Sequence, residues 1–212
     1  MKVTALVPAY NEEKTIPSVI DSLKQMDIID EVLVIDDGSI DNTATAAKKA
    51  GARVISFDKN QGKGAALERG IQEITNDVIL MLDADLIGLK THHVQNLLEP
   101  VLKNKVDMTI GVFNEGRGLT DLAQLISPNL SGQRAVKKDV IDDIENLHKA
   151  GFGVEIALNS HVKKNGKLEF VELPELTHIM KEEKRGFTRG VLARGKMYWD
   201  IIKALLKSKI KN

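Results

Sequence analysis

Four short apolar segments alternate with longer segments of helical period in the first hundred residues of the chain. The apolar segments are rich in Val, Ile and Leu and read VTALVPA, EVLVID, ARVISF and DVILML. The helical segments span residues 12–26, 42–50, 62–74 and 93–103. Strands that are apolar on both faces and alternate with such helices are typical of a parallel sheet covered on both sides. The sequence therefore predicts an α/β fold with a Rossmann-like, mostly parallel sheet flanked by helices.

The composition limits the classes of function. The 30 basic residues balance the 30 acidic ones, so no overall field draws the protein to nucleic acid. The chain has no cysteine, which excludes a disulfide framework, a thiolate metal site and a cysteine nucleophile. It contains neither a signal peptide's apolar stretch nor the roughly 18 to 20 apolar residues of a membrane span. We therefore expect a cytoplasmic protein.

The pattern is looser after about residue 106. A helix fits residues 153–164, a strand fits KLEFVEL, and a long basic amphipathic helix fits residues 188–209. We therefore expect one catalytic domain over residues 1–187 and a C-terminal amphipathic helix over residues 188–212. This helix either lies on an anionic lipid surface, which would make the protein peripheral to the membrane, or packs on the domain or on a second subunit as a homodimer.

A polar cluster follows each of the four apolar segments. The clusters read PAYNEE, DDGS, DKNQGKG and DAD in chain order. Ligands of open α/β sheets bind beyond the carboxyl ends of the strands, where loops present side chains without breaking the sheet. All four clusters are expected at that edge, and together they indicate a ligand site.

These segments resemble the nucleotide-sugar-dependent glycosyltransferases of family 2, which have the GT-A fold. The resemblance rests on VPAYNEEKTI, VLVIDDGSIDNT, NQGKGAAL, MLDADL, LSGQRAV and GFGVEIAL. Within the family the chain is most similar to the glucosyl-3-phosphoglycerate synthases and the dolichol-phosphate mannose synthases. The resemblance implies a UDP- or GDP-sugar donor and a metal-dependent hexosyl transfer.

The D-x-D tripeptide of Asp83 and Asp85 is the predicted metal site. A nucleoside diphosphate leaves readily only if its developing charge is met, and Mg²⁺ or Mn²⁺ held by carboxylates meets it. We expect Asp85 to reach the ion and Asp83 to contact the ribose, or the ion through water. In the related synthases a late histidine completes the site, and His178 occupies that place. The other four histidines are expected to be structural.

The remaining clusters fit the nucleotide. We expect a base-pocket wall from Pro8, Ala9 and Tyr10. The resemblance makes Glu12 a ribose- or base-binding carboxylate, and Asp37 is expected to accept from a base N–H. Gly62 permits close backbone approach at a helix start, where Lys63 adds positive charge for a phosphate or for the base edge.

The acceptor side is expected around LSGQRAV and GFGVEIAL. Ser131 and Gly132 could donate backbone N–H groups to an anionic acceptor, and Arg134 could bind its phosphate or carboxylate as a fork. Glu155 is the nearest candidate for a catalytic carboxylate, with Asp142 and Asp143 also available. A hydroxyl acceptor needs a general base, whereas a phosphate acceptor needs none. The sequence leaves open a small anionic acceptor, such as 3-phosphoglycerate, and a polyprenyl phosphate.

Two other functions compete with transfer. A catalytically inactive relative that binds nucleotide sugars is disfavoured because Glu12, Asp37, Lys63, Asp83 and Asp85 are all present. A nucleotidyltransferase is disfavoured because the first strand is followed by PAYNEE rather than by a glycine-rich G-x-G-T-R loop.

Overall fold

The computed structural model describes residues 1–113, 131–144 and 154–178. The strands are β1 Val3–Ala9, β2 Glu31–Asp36, β3 Arg53–Ser56, β4 Val78–Met81, β5 Leu86–Ile87, β6 Met108–Phe113, β7 Arg134–Lys137, β8 Leu168–Leu173 and β9 Thr177–His178. The helices are α1 Ile16–Lys24, α2 Thr43–Lys49, α3 Lys63–Glu73, α4 Thr91–Leu102, α5 Lys138–Asp142 and α6 Val154–Asn165.

Seven strands form one sheet in the order β3-β2-β1-β4-β7-β6-β8. The four strands predicted from the apolar segments pair in parallel, and β6 pairs in parallel with β8. Only β7 runs against its neighbours β4 and β6 within this sheet. A separate two-stranded sheet contains β5 and β9. The predicted α/β fold with a mostly parallel sheet is therefore confirmed.

Apolar side chains cover both faces of the sheet, as expected for strands without a polar face. On one face, alternate residues of β1 pack with the buried sides of α1, α2 and α4. On the other face, Leu6 of β1 packs with Leu33 and Ile35 of β2 and with the buried sides of α3, α5 and α6. The alternation of side chains along each strand assigns successive residues to opposite layers.

Strand β7 was not predicted, because LSGQRAV was interpreted only as a loop. Its four residues are too few to show a period, and its partners β4 and β6 lie far away in the sequence. Arg134 pairs with Met81 and Lys137 with Val78, so β7 begins at the carboxyl end of β4. The loop before β7 therefore lies next to the D-x-D tripeptide, which follows β4.

The chain divides into two compact units, Met1–Thr177 and His178–Asn212. The predicted C-terminal helix lies outside the described residues, and the boundary at residue 187 stays a prediction. No helix in the described ranges combines the length and the apolar character needed to cross a bilayer.

His93 anchors the start of α4 and is fully buried. Its Nδ1 accepts the N–H of Lys90 at 3.1 Å, and its Nε2 lies 2.7 Å from the carbonyl oxygen of Pro174. Because a carbonyl only accepts, Nε2 carries the proton and the ring is neutral. Burial lowers the pKa of His93, and the nearby charges of His92 and Lys90 act in the same direction; the Pro174 carbonyl and Glu175 oppose them.

We expect the protein to lose stability as the pH falls below about 6.5, the pKa of an unfolded histidine. The neutral ring stabilises the fold fully above that pH, and this contribution is lost as the pH approaches the lowered folded pKa. His93→Gln retains an acceptor for the Lys90 N–H and should flatten the dependence. His92→Gln, at the exposed neighbouring position, removes a smaller contribution to the lowered pKa of His93 and should leave most of the dependence in place. Melting temperatures measured between about pH 5 and 8 test this expectation.

Candidate active site

The carboxyl ends of the parallel strands bring the predicted polar clusters together. The backbone N–H of Asn11 donates to Ser39 Oγ at 2.9 Å, and that of Glu12 donates to Thr43 Oγ1 at 2.7 Å. The loop after β1 is thus bonded to the segment after β2. The Glu12 carboxylate accepts from Thr15 Oγ1 at 2.9 Å and is half-buried. Its contact with a ribose or a base stays a prediction.

The three residues of the predicted base-pocket wall lie in two environments, the core and the edge of the sheet. Pro8 and Ala9 are buried in β1, and Ala9 belongs to the apolar core. Tyr10 follows the strand and is half-buried. The prediction for Ala9 differs from the structure because alternation along β1 turns its side chain into the core layer. Tyr10 is therefore the residue of the three that stands at the edge.

Asp37 holds the loop after β3. One carboxylate oxygen accepts the backbone N–H of Gln61 at 2.7 Å, and the other accepts the N–H of Gly62 and the side-chain amide of Asn60, each at 2.9 Å. The residue is only 3% exposed. Asp37 therefore has a structural role in the loop after β3, and its contact with a base stays a prediction. Gly62 has φ of 96°, so a glycine is required at the turn into α3.

Asp37→Asn should release this loop, because an amide NH₂ would then face at least one backbone N–H. Hydrogen bonds to a charged group contribute about 1.5 to 3 kcal/mol, so we expect a loss of that order in the free energy of unfolding. Chemical denaturation measures the loss, and limited proteolysis locates it. Wild-type stability and unchanged cleavage after Asn60 and Gln61 would contradict the anchoring role.

Lys63 is the centre of the charged cluster at this edge. Its Nζ lies 2.7 Å from Asp83 Oδ1 and 3.0 Å from Glu155 Oε1, and its side chain is 36% exposed. Burial lowers the pKa of Lys63, but Asp83 and Glu155 outweigh this effect and raise it above the usual range. The site therefore contains a permanently charged ammonium at the start of α3, where the helix dipole also favours anions.

The loop that precedes β7 completes the cluster. The Gln133 side-chain amide donates to Asp83 Oδ2 at 2.9 Å, so Asp83 accepts from Lys63 and Gln133 on different oxygens. A Cβ at Gly132 would lie 2.6 Å from both Asp83 oxygens and 2.7 Å from Lys63 Nζ. The predicted loop of Ser131 and Gly132 thus reaches the D-x-D tripeptide. Gln133 was missed by the sequence analysis because a neutral residue in a loop carries no distinctive signal.

Arg134 faces the interior rather than an acceptor. It is 0% exposed, and its guanidinium donates to the backbone oxygens of Ser131 and Glu155 and to Asn159 Oδ1. Burial lowers its pKa, whereas Glu155 and Asp83 raise it. The predicted contact of Arg134 with an acceptor phosphate is therefore corrected. The guanidinium instead binds the loop before β7 and the start of α6 from the interior of the protein. A motif shows which side chains occur but not which face of a short strand is buried.

The three candidate carboxylates on the acceptor side differ in position and in exposure. Glu155, at the start of α6, is 15% exposed and ion-paired with Lys63, so it belongs to the site. Asp142 and Asp143 are exposed around the end of α5, which follows the far end of β7 at the opposite edge of the sheet. The side chains of Asp142 and Asp143 are solvated, so of the three candidates only Glu155 lies beside Lys63.

Of the predicted metal site, the structure describes the two carboxylates of the D-x-D tripeptide. Asp85 is half-buried, two residues beyond Asp83. In the described ranges no group of three or more His, Cys, Asp or Glu side chains is placed to hold a metal. The backbone of His178 ends β9, while its side chain lies outside the described residues. Its role as a ligand therefore stays a prediction.

The chain belongs to glycosyl transferase family 2, whose model matches residues 4–154. It is 30% identical over 194 residues to the glucosyl-3-phosphoglycerate synthase of Mycobacterium tuberculosis strain CDC 1551 / Oshkosh, covering 74% of this chain and 59% of that protein. It is 34% identical over 194 residues to the undecaprenyl-phosphate 4-deoxy-4-formamido-L-arabinose transferase of Serratia proteamaculans, covering 79% and 59%. The chain thus spans about three fifths of the length of these relatives.

A solved structure has the same fold. The synthase from Mycobacterium tuberculosis, in complex with Mn²⁺, UDP-glucose and phosphoglyceric acid, matches with a TM-score of 0.80 and 29% identity. The match covers 97% of this chain and 79% of that one. The GT-A fold expected from the resemblance is thereby confirmed.

Proposed function

We propose that the protein transfers a hexosyl group from a nucleoside diphosphate sugar, in the first place a UDP-sugar, to a small anionic acceptor such as 3-phosphoglycerate. The observation that carries the proposal is the charged cluster of Lys63, Asp83 and Glu155, joined by bonds of 2.7 and 3.0 Å. It lies where the loop after β4, the start of α3 and the acceptor-side loop meet. Such a cluster presents a cation for a diphosphate and carboxylates for sugar hydroxyls.

The two carboxylates of the tripeptide suit Mg²⁺ or Mn²⁺. Hard cations of this kind are commonly bound by one or two carboxylates, with substrate phosphates and water supplying the other oxygens. When bound, the ion would neutralise the charge that develops on the departing diphosphate. Asp85 is proposed as the direct ligand. Asp83, which accepts from Lys63 and Gln133, is proposed to contact the ribose, or the ion through water. His178 is proposed as the third protein ligand.

The residues of this chain supply the remaining chemistry. Lys63 remains protonated and can contact the diphosphate, and Glu155 Oε1 lies 3.0 Å from its Nζ. Glu155 is proposed as the carboxylate that contacts the hydroxyl of the acceptor, because it lies beside Lys63 on the acceptor side. The hydroxyl of 3-phosphoglycerate needs a base, whereas a phosphate acceptor needs none, so the role of Glu155 depends on which acceptor the protein uses.

The polyprenyl-phosphate acceptor remains the second candidate. It is supported by the relative that is named for transfer to undecaprenyl phosphate, at 34% identity. It is also supported by the basic amphipathic sequence of residues 188–212. We propose contact of this segment with a membrane surface, or with a second copy in a homodimer, as the alternatives to be separated by experiment.

Ligand-dependent melting tests the donor. UDP with Mn²⁺ or Mg²⁺ should raise the melting temperature, since a ligand at a hundredfold excess over Kd stabilises the native state by about 2.7 kcal/mol. EDTA should remove most of the shift, and GDP measured in parallel identifies the base. Unmoved melting curves with UDP, GDP and their sugars in the presence of metal would refute a nucleotide-sugar enzyme.

The acceptor is tested with the chosen donor, 3-phosphoglycerate and a short polyprenyl phosphate. Hexose transfer to phosphoglycerate, with little effect of removing the residues after Tyr198, supports the small acceptor. Transfer only to the lipid, together with loss of liposome association after truncation, supports the second candidate. Nucleotide binding should survive the truncation in both cases, because the charged cluster lies within residues 63–155.

A further inference from the structure

Gln133 is the buried residue that joins the acceptor-side loop to the D-x-D tripeptide. It is 1% exposed, and its backbone carbonyl oxygen accepts the N–H of Gly111 on β6 at 2.8 Å. Its backbone is therefore fixed by the sheet. The side chain has little freedom to leave the position in which it meets Asp83.

Ser131 and Asp83 together hold the amide of Gln133 in one orientation. The Ser131 Oγ accepts the backbone N–H of Gln133 at 3.3 Å and donates to its Oε1 at 2.9 Å. With its oxygen bonded to the hydroxyl, the amide directs Nε2 toward Asp83 Oδ2, 2.9 Å away. The reverse orientation would place the amide oxygen against the Asp83 carboxylate and lose that bond, because a carboxylate only accepts.

The amide binds Asp83 without adding charge. Lys63 pairs with the carboxylates of Asp83 and Glu155, and the buried guanidinium of Arg134 adds a second positive charge nearby. A glutamate at position 133 would add a third carboxylate within hydrogen-bond distance of Asp83. Glutamine instead supplies a donor and leaves Lys63 shared between its two partners.

We propose that Gln133 is a positioning residue that sets the orientation of the Asp83 carboxylate, and that Ser131 holds its amide in the required direction. The inference rests on the proposed function for the consequence that turnover depends on this orientation. The contact itself is independent of any ligand. Two measurements test the contact and its effect on turnover separately.

The first measurement is thermal stability without ligand. Gln133→Glu should lower the melting temperature by about 5 °C, since like charges meet in a half-buried site. Adding Asp83→Asn should recover most of the loss, because the pair then has a donor at position 83 and an acceptor at position 133. Asp85→Asn is the matched control and should give no recovery. Equal recovery by both, or none by either, would overturn the inference.

The second measurement is turnover in a double-mutant cycle. Gln133→Leu should lower kcat about tenfold, and in an Asp83→Asn background it should cost little more, because its effect passes through Asp83. Ser131→Ala should show a smaller loss that Ser131→Thr restores. Full additivity of Gln133→Leu with Asp83→Asn would overturn the inference. If Asp83→Asn recovers the stability of Gln133→Glu but the wild-type protein neither binds UDP nor transfers hexose, the proposed function is overturned instead.

Discussion

Asp85→Ala will lower hexosyl transfer by about a thousandfold while the protein remains folded. The loss corresponds to about 4 kcal/mol of transition-state stabilisation, which is the order expected when a metal that neutralises a leaving group is no longer held. The side chain is half-buried at the end of a strand and contributes little to the apolar core. The fold should therefore tolerate its removal.

The measurement combines steady-state turnover with calorimetric binding of UDP in the presence and absence of Mn²⁺. Asp85→Ala should lose the metal-dependent part of the binding. Asp21→Asn, at an exposed position on α1, is the control for removal of an acidic side chain and should behave as wild type. Full activity of Asp85→Ala would show that the ion is held elsewhere.

Gly132→Ala will lower turnover by about a hundredfold through the addition of one methyl group. The new Cβ would lie 2.6 Å from both Asp83 oxygens and 2.7 Å from Lys63 Nζ, closer than real Cβ atoms approach. The loop or the ion pair must therefore shift, and displacements of about 1 Å at a catalytic group can cost about 10²-fold in rate.

Gly166→Ala provides a matched control. Its Cβ would meet a carboxylate oxygen of Asp107 at 2.8 Å, so the local crowding is similar. Asp107 precedes β6 at the opposite edge of the sheet, where it bonds Lys137 and the N–H of Lys167. A comparable loss of stability in both variants, with a loss of turnover only in Gly132→Ala, is the expected result. Equal turnover in both variants would contradict the position assigned to Gly132.

The sequence contained enough information to predict the sheet and the edge that carries the site. Parallel strands expose their carboxyl ends together, so four polar clusters after four apolar segments had to converge. The ion pair of Lys63 with Asp83 connects two of these predicted clusters directly. The roles of individual side chains were harder to predict, because a carboxylate in a loop can bind either a ligand or the loop itself.

Asp37 and Arg134 illustrate this limit. Asp37 was expected to contact a base, yet its oxygens accept the side-chain amide of Asn60 and the backbone N–H groups of Gln61 and Gly62. Arg134 was expected to bind an acceptor, yet its position on the unpredicted strand β7 turns the guanidinium inward. In both cases the deciding contact joins segments distant in the chain. Local sequence patterns do not encode such contacts.

The antiparallel strand β7 has a consequence for how the family can diversify. Four residues of β7 are fixed in register by β4 on one side and, for three of them, by β6 on the other, and they deliver residues 131–133 to the cluster. The chain between β6 and β7 can therefore change in length and sequence without moving the donor-side carboxylates. Relatives named for a phosphoglycerate product and for an undecaprenyl-phosphate acceptor match the same chain at similar identity. Variation between such relatives that is confined to the segment between β6 and β7 would leave the pairing of β7 with β4 unchanged.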